Sequence, residues 1–458
     1  MKTSFRRLTV VIAAALAALL ITTHFATASL GSALPVQSGE SHPLDIVPFM
    51  ASFMVILLAA KLGGEIIERF GQPAVLGELL LGVVIGNLTL FGFVSVNAIK
   101  ANQGIEIAAE LGVILLLFQV GLESRVEELK KVGLSSVLVA LVGVIAPMIL
   151  GYFVGIILLP GDSPLVHIFI GATLAATSVG LTARVMKDLG KTNTSEARIV
   201  LGAAVIDDVM GLVVLAVVGG LIASASHAGT GSFSWIGTGA IILKATVFLF
   251  GSIVVGQIVV PHFFQLVSHM RVQGVMLVMS IAFCFAMAAL SASIGLAPIV
   301  GAFAAGLILE PSHYLSFTNR GERPVEELVA PVADLFVPVF FVLMGLKVDL
   351  RFFADPQALK LACALVVMAI IGKLVCGLAV LEKGLNRLVI SVGMIPRGEV
   401  GLIFASMGAK MMLDDAPVID AGTYAAVVIM VMLTTLVTPF WLKALYTKED
   451  KIRLARQG

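Results

Sequence analysis

The sequence predicts an all-α polytopic membrane protein with about thirteen transmembrane helices after a signal peptide, and three observations carry that reading. Only 13% of the 458 residues are charged and 59% are hydrophobic, whereas a soluble domain carries roughly 25% charged residues and needs them to cover its surface. Apolar stretches of about 20 residues, enough for a helix to cross roughly 30 Å of hydrocarbon, start near residues 46, 74, 104, 132, 165, 196, 236, 274, 295, 325, 356, 386 and 419. Four short motifs recur in order at an offset of 221 to 224 residues, as an internal repeat would require. The 30 Lys and Arg nearly balance the 29 Asp and Glu, so no basic stripe for nucleic acid is present and the lipid bilayer is the expected partner. Cys284, Cys363 and Cys376 sit in apolar runs without metal-ligand spacing and read as small buried hydrophobes.

At the N-terminus, Lys2, Arg6 and Arg7 precede an apolar run from Leu8 to Ile21, and Ala26, Thr27 and Ala28 supply the small residues of a cleavage site. Residues 1–28 are therefore expected to be a signal peptide, with an uncleaved anchor helix as the alternative; both start residue 29 outside the cytoplasm. Thirteen crossings then bring the C-terminus inside. Positive charge tests this independently: the expected inner segments carry eighteen Lys and Arg, including Arg125, Lys130, Lys131, Arg184, Lys187, Arg271 and Arg320, against Lys100, Lys347, Arg351, Lys360 and Lys410 outside.

Gly77 and Gly82 of the second span recur as Gly301 and Gly306 in the ninth, and Gly121-Leu122 of the third as Gly345-Leu346 in the tenth. Gly151 in the fourth span matches Gly372 in the eleventh, and Val179-Gly180-Leu181 in the fifth matches Val400-Gly401-Leu402 in the twelfth. Partners lie seven spans apart, an odd number, so the copies run oppositely across the membrane. Such inverted-topology repeats suit alternating access, with binding at discontinuous helices.

The fifth span, with Gly171, Thr173, Thr177, Ser178, Gly180 and Thr182, and the twelfth, with Gly393, Pro396, Arg397, Gly398, Glu399 and Gly401, are expected to be two crossing broken helices. Proline withholds an amide and glycine tolerates irregular dihedrals. Thr177 and Ser178 can face an ion or bond back to their own helix. Arg397 and Glu399, mid-span, can pair with each other or with freed backbone ends as a charge network.

In the sixth span Asp207 and Asp208 stand side by side. Each costs at least about 2.5 kcal/mol at a helix centre on insertion scales, so they must face the protein interior or a cavity. Neighbours on a helix point about 100° apart, so one acid can face an ion path while the other meets a partner. Lys373, in an otherwise apolar run, is the expected ion-pair partner and a possible proton carrier, with snorkelling as the alternative; Lys61 and Lys244 read as snorkelling residues. Glu78 is an acid in the second span with no assigned role. A buried carboxylate prefers its neutral form unless a cation neutralises it, so proton and cation compete for it. If only the loaded site reorients, the result is cation/proton antiport, and a second proton on the lysine would make it electrogenic.

The run Ala204 to Asp208, the pair Gly372-Lys373 and the run Pro396 to Glu399 together resemble bacterial sodium/proton antiporters of the cation:proton antiporter superfamily, over about residues 45 to 445. Residues Gln72 to Glu78 are similar to its second clade, of thirteen-helix type. The resemblance implies that Asp208 is the main Na+ and proton site and that Asp207, also a Na+ contact, is the partner of Lys373. It implies that Thr177 and Glu399 line or brace the site. It further implies a core (spans about 132–220 and 356–445) moving against a homodimerising scaffold (about 46–122 and 274–346), joined by a linker span (about 236–267). Residues 446–458 would be a cytoplasmic tail too short for a nucleotide-binding domain. Implied too are an inner-membrane location, Na+ (or Li+) and protons as cargo, no enzymatic reaction and no cofactor.

Potassium/proton exchange is the nearest alternative, because both ions accept carboxylate, hydroxyl and carbonyl oxygens. A sodium-coupled organic-anion symporter and a passive channel are further readings, separated by anion-dependent stability and by obligatory proton coupling. An intramembrane aspartyl protease would place its acids on two helices, whereas here they are consecutive. His262, His269 and His313 read as solvated loop histidines on the inner side.

Overall fold

The computed structural model describes residues 46–457 apart from 92–94, 124–132, 179–181, 184, 187–188, 192–193, 229–234, 268–269, 271, 273, 310–321 and 414–415. The signal segment 1–28 lies outside the described residues, as do Arg125, Lys130, Lys131, Arg184, Lys187, Arg271, Arg320, His269, His313, the motif Val179-Gly180-Leu181 and the side chain of Lys244.

The described chain is mostly helical. Within hydrocarbon no water serves the backbone, and a helix satisfies its own N–H and C=O groups. The helices are α1 (Ile46–Glu68), α2 (Ala74–Gly86), the short α3 (Ser95–Lys100), α4 (Gln103–Glu123), α5 (Leu134–Leu158), α6 (Pro164–Ala175), α7 (Ser195–Ala228) and α8 (Trp235–Val267). They continue with α9 (Val275–Ser293), α10 (Pro298–Ile308), α11 (Val325–Leu346), α12 (Pro356–Leu374), α13 (Arg387–Gly393), α14 (Glu399–Lys410) and α15 (Ala421–Gln457). Strands β1 (Met412–Leu413) and β2 (Ala416–Pro417) form a small antiparallel hairpin before α15. Among the described residues eight helices are long and apolar enough to cross a membrane; the protein is a multi-pass membrane protein.

The chain divides into two units. The first comprises residues up to Leu115 with Pro331–Leu350. Its helices meet backbone to backbone: a Cβ on Gly77 of α2 would lie 1.9 Å from the Gly63 carbonyl oxygen of α1, and one on Gly112 of α4 would lie 2.4 Å from the Phe336 carbonyl of α11. In a bilayer, where lipid offers no hydrophobic drive between helices, small residues give the close approach that makes van der Waals packing favourable. Asn87 closes one end, its Nδ2 donating to the carbonyls of Val83 and Val348 at 2.8 Å each while its Oδ1 accepts from Leu350 N at 2.9 Å.

The second unit comprises Leu116–Ala330 and the chain from Arg351 on. In it α5 packs along α6, α7 and α12, and α12 also packs along α15. Val139 and Ala140 of α5, Val200 and Ala203 of α7, Val389 and Ile390 of α13 and Leu442 of α15 share one buried apolar cluster. Gly151 meets Gly171, and Gly372 of α12 meets Pro147 of α5. Polar contacts tie one end: Ser135 Oγ donates to Glu382 Oε2, and Asn386 N donates to Glu196 Oε1 at 3.1 Å. The Asn386 side chain caps α13 by accepting from Val389 N.

Two expectations are corrected here. Cys284 and Cys376 are buried, but Cys363 is exposed; with Leu359, Val367 and Ile371 at intervals of four it lies on the outward stripe of α12. His262 is exposed but is not in a loop, since it lies within α8 and its Nδ1 is 2.7 Å from the Ile258 carbonyl of its own helix.

Candidate functional site

In the second unit one helix ends early, another stops and resumes, and the two breaks touch. α6 ends at Ala175, and residues 176–178 leave the helix. α13 ends at Gly393 and α14 starts at Glu399, with Pro396 between them; proline has no amide hydrogen and pushes the residue before it out of the helical region. Ser178 N donates to the Pro396 carbonyl at 2.8 Å and Thr182 Oγ1 to the Gly393 carbonyl at 2.7 Å, so each gap satisfies backbone groups that the other frees. A Cβ on Gly398 would lie 2.5 Å from Ser178 Cβ and Oγ, so the approach needs glycine.

Arg397 and Glu399 do not pair with each other. Arg397 is fully buried and donates to main-chain carbonyls, those of Met394 and Ile395 at 3.4 Å each and of Ala369 on α12 at 3.3 Å. It thereby places a positive charge on the carbonyl end of α13 and on α12. Its own backbone is held from α15: Arg397 N donates to Thr434 Oγ1 at 3.3 Å, and Thr435 Oγ1 donates to the Arg397 carbonyl. Glu399 opens α14, where the helix N-terminus favours an acid, and accepts from Ser178 Oγ at 3.0 Å.

On α7 the two adjacent acids have different surroundings. Asp207 is 1% exposed and accepts at Oδ1 from Lys373 Nζ at 3.1 Å; Lys373 is itself 0% exposed and does not snorkel. Asp208 is half-buried and, among the described residues, makes no hydrogen bond or ion pair. Around these residues Asp207 Oδ2, Thr177 Oγ1 and Arg397 Nε are buried without a hydrogen-bond partner among the described residues. Thr177 therefore does not bond back to its own helix. Glu78, in the first unit, is buried with Oε2 equally unpartnered among the described residues, and Lys61 is exposed.

Sequence reasoning missed several contributors. Thr434 and Thr435 are adjacent hydroxyls in an apolar span, and that was their signal. Gly143 on α5 left none: a Cβ there would lie 3.2 Å from both Lys373 Nζ and Cys376 Sγ and 3.7 Å from Asp207 Oδ1. A buried carboxylate needs a positive partner, and Lys373 supplies it to Asp207 while leaving one oxygen of that carboxylate without a protein partner among the described residues.

The profile of the transmembrane sodium/hydrogen exchanger family matches residues 53–448. The high-affinity Na(+)/H(+) antiporter NhaS3 of Synechocystis sp. is 39% identical over 446 residues, covering 90% of this chain and 93% of that protein. The Na(+)/H(+)-K(+) antiporter GerN of Bacillus cereus is 35% identical over 408 residues, covering 88% and 97%. Among solved structures, the sodium proton antiporter MjNhaP1 of Methanocaldococcus jannaschii aligns with a TM-score of 0.63 at 19% identity, over 87% of this chain and 97% of that one; this is a likeness of fold.

Proposed function

The chain belongs to the sodium/hydrogen exchanger family, and on that premise we propose that Asp208 is the seat taken in turn by a sodium ion and a proton, with Asp207 and Lys373 as its coupled neighbours. The protein is a secondary antiporter exchanging sodium for protons across a membrane. One observation carries the assignment of the site: of two consecutive acids, one is buried on a lysine while the other is half-buried with no protein partner among the described residues. A carboxylate at this depth without a partner favours its neutral, protonated form unless a cation arrives. Proton and sodium then exclude each other, which is the condition for exchange.

In the proposed cycle Thr177 Oγ1 and the free oxygen of Asp207 supply further contacts for the ion. Lys373 compensates Asp207 when no metal is present and gives up that role, with a proton, when it is. A net charge moved per cycle would draw about 2.3 kcal/mol from a 100 mV potential. Arg397 and Glu399 hold the crossing rigid. The cycle uses sodium and protons as cargo and calls for no cofactor. Potassium remains the second reading, favoured by the likeness to GerN, whose name includes that ion.

The finer architecture belongs to the same proposal: thirteen spans after a cleaved signal at 1–28, the N-terminus periplasmic, the C-terminus cytoplasmic, and an inner-membrane homodimer. Core spans 132–220 and 356–445 would move against scaffold spans 46–122 and 274–346, with 236–267 linking them and 446–458 as a tail. The inverted repeat is supported by glycine contacts that recur at its offset. A Cβ on Gly82 would lie 2.3 Å from the Val342 carbonyl, and one on Gly306 would lie 2.2 Å from that of Phe118. Likewise a Cβ on Gly345 would lie 2.2 Å from the Leu79 carbonyl and one on Gly121 would lie 2.3 Å from that of Phe303, while Gly77 against Gly63 has its counterpart in Gly301 against Met287.

Reconstitution in proteoliposomes with an internal pH dye tests the reading. Sodium or lithium is expected to dissipate an imposed proton gradient, and Asp208→Asn to abolish that response; full exchange in the variant would refute the site. Lys373→Ala is expected to lose stability or the response to voltage.

A further inference from the structure

We infer that Gly143 is a positioning residue for the Lys373–Asp207 pair: its bare Cα is the surface against which the lysine nitrogen, the Asp207 oxygen and the Cys376 sulfur are gathered. A methyl group at residue 143 would stand 3.2 Å from Lys373 Nζ, 3.2 Å from Cys376 Sγ and 3.7 Å from Asp207 Oδ1. The first two are closer than relaxed contact allows. All three groups are buried, so nothing beside them is empty enough to take up the displacement freely.

The surroundings fix which atom gives way. Gly372, the residue before the lysine, packs on Pro147 one turn along α5, where a Cβ would be 2.9 Å from Pro147 Cα. The backbones of α5 and α12 are thus already in contact and cannot approach further. Pro147 also has no amide hydrogen for the Gly143 carbonyl four residues earlier, so this stretch of α5 is shaped by two residues poor in ordinary helix stabilisation. Their joint product is a bare stretch of α5 backbone against which the lysine tip lies. Lys373 is a flexible chain ending in an ammonium with three donors, and among the described residues its one hydrogen-bond acceptor is Asp207 Oδ1 at 3.1 Å. A methyl group at 143 therefore moves the ammonium, and moving it stretches the bond to Asp207.

This inference deepens the proposed function and rests on it in one respect: a weaker hold of Lys373 on Asp207 leaves the acid more available to sodium. Gly143→Ala should lower the sodium concentration for half-maximal exchange, about tenfold if the loosened charge-assisted bond contributes at the low end of its usual range, without raising the maximal rate. A residue that only packs would lower rate and stability and leave sodium affinity unchanged. The double variant Gly143→Ala/Cys376→Ala removes the sulfur and gives the ammonium room to stay on Asp207, so it should return within about twofold of the parent, a span well under 1 kcal/mol.

The test measures sodium dependence in proteoliposomes and thermal melting in detergent for the parent, both single variants and the double. Melting reads the crowding whatever ion is carried: Gly143→Ala should melt lower than the parent, and adding Cys376→Ala should restore it, a non-additive pair. If the parent shows no sodium-driven proton movement, the functional reading falls and the melting cycle alone decides the positioning role. Unchanged half-saturation in Gly143→Ala, or additive melting effects, would overturn the inference. Should Gly143→Ala fail to fold, a folded double variant upholds it and an unfolded one overturns it.

Discussion

At the gap after α6 the chain carries hydroxyls and no charge, with Thr177 and Ser178 followed by Thr182; at the gap between α13 and α14 it carries Arg397 and Glu399. The proposed repeat pairs these two segments, yet they leave different kinds of polar atom unpartnered among the described residues, a hydroxyl oxygen in one and a guanidinium N–H in the other. The charged gap is mostly satisfied: Arg397 serves three carbonyls, Thr434 and Thr435 hold its backbone, and Glu399 has Ser178, with Arg397 Nε left without a partner among the described residues. The hydroxyl gap leaves Thr177 Oγ1 buried and unpartnered among the described residues. A polar network that is nearly satisfied is stiff, and the N–H left over on Arg397 cannot hold a cation, whereas an unmet hydroxyl oxygen can. One gap therefore reads as anchor and the other as receiver.

The sharpest way to break this contrast is Arg397→Ala. It strips the buried Met394 and Ile395 carbonyls, which lie outside any helix, of the guanidinium donor, at roughly 1–3 kcal/mol each against a typical total stability of about 5–15 kcal/mol. It also takes a second donor from the Ala369 carbonyl. No monodisperse protein is expected on size-exclusion chromatography in detergent, and a variant melting within a few degrees of the parent would show that the anchor is elsewhere. Gly398→Ala comes next. Its methyl group would meet Ser178 at 2.5 Å, an overpacking expected to cost about 1–3 kcal/mol, visible as a lower melting temperature that Ser178→Gly partly restores.

Smaller effects separate receiver from anchor. Thr177→Val removes a hydroxyl that no described residue bonds, so melting should be unchanged or slightly raised. The half-saturating sodium concentration should rise about fivefold if one oxygen contact contributes roughly 1 kcal/mol. A melting loss with unchanged affinity would make Thr177 structural. The smallest effect is expected from Glu399→Gln, because an amide oxygen still accepts from Ser178 Oγ; exchange should stay within about twofold, a difference well below 1 kcal/mol. Abolished exchange would move Glu399 from brace to cargo contact.

Much of the fold was legible because hydrocarbon leaves the chain few choices: apolar runs of sufficient length become helices, and Pro396 with its glycines marks where one must stop. Charges inside such runs were legible for the same reason, since Asp207 and Lys373 are tolerable there only with partners. The pairing of Lys373 with Asp207 was legible too, but the partners of Arg397 were not. Arg397 could reach Glu399 two residues away by sequence, but chooses carbonyls, including that of Ala369 on another helix. That choice depends on helix packing no local pattern encodes. Cys363 and Cys376 have similar apolar neighbours in sequence, yet one faces outward and the other lies beside Lys373, a difference of helical phase and packing. Gly143 was invisible because its contribution is an absence of atoms.

The outward position of Cys363 has a practical side. With Cys284 and Cys376 buried, a lipophilic maleimide should find a single thiol on the native chain. It sits on α12, ten residues from Lys373, or about 15 Å along the helix axis. A fluorophore or spin label placed there would report on the lysine-bearing helix during turnover, with no engineered cysteine and no deletion of a native one.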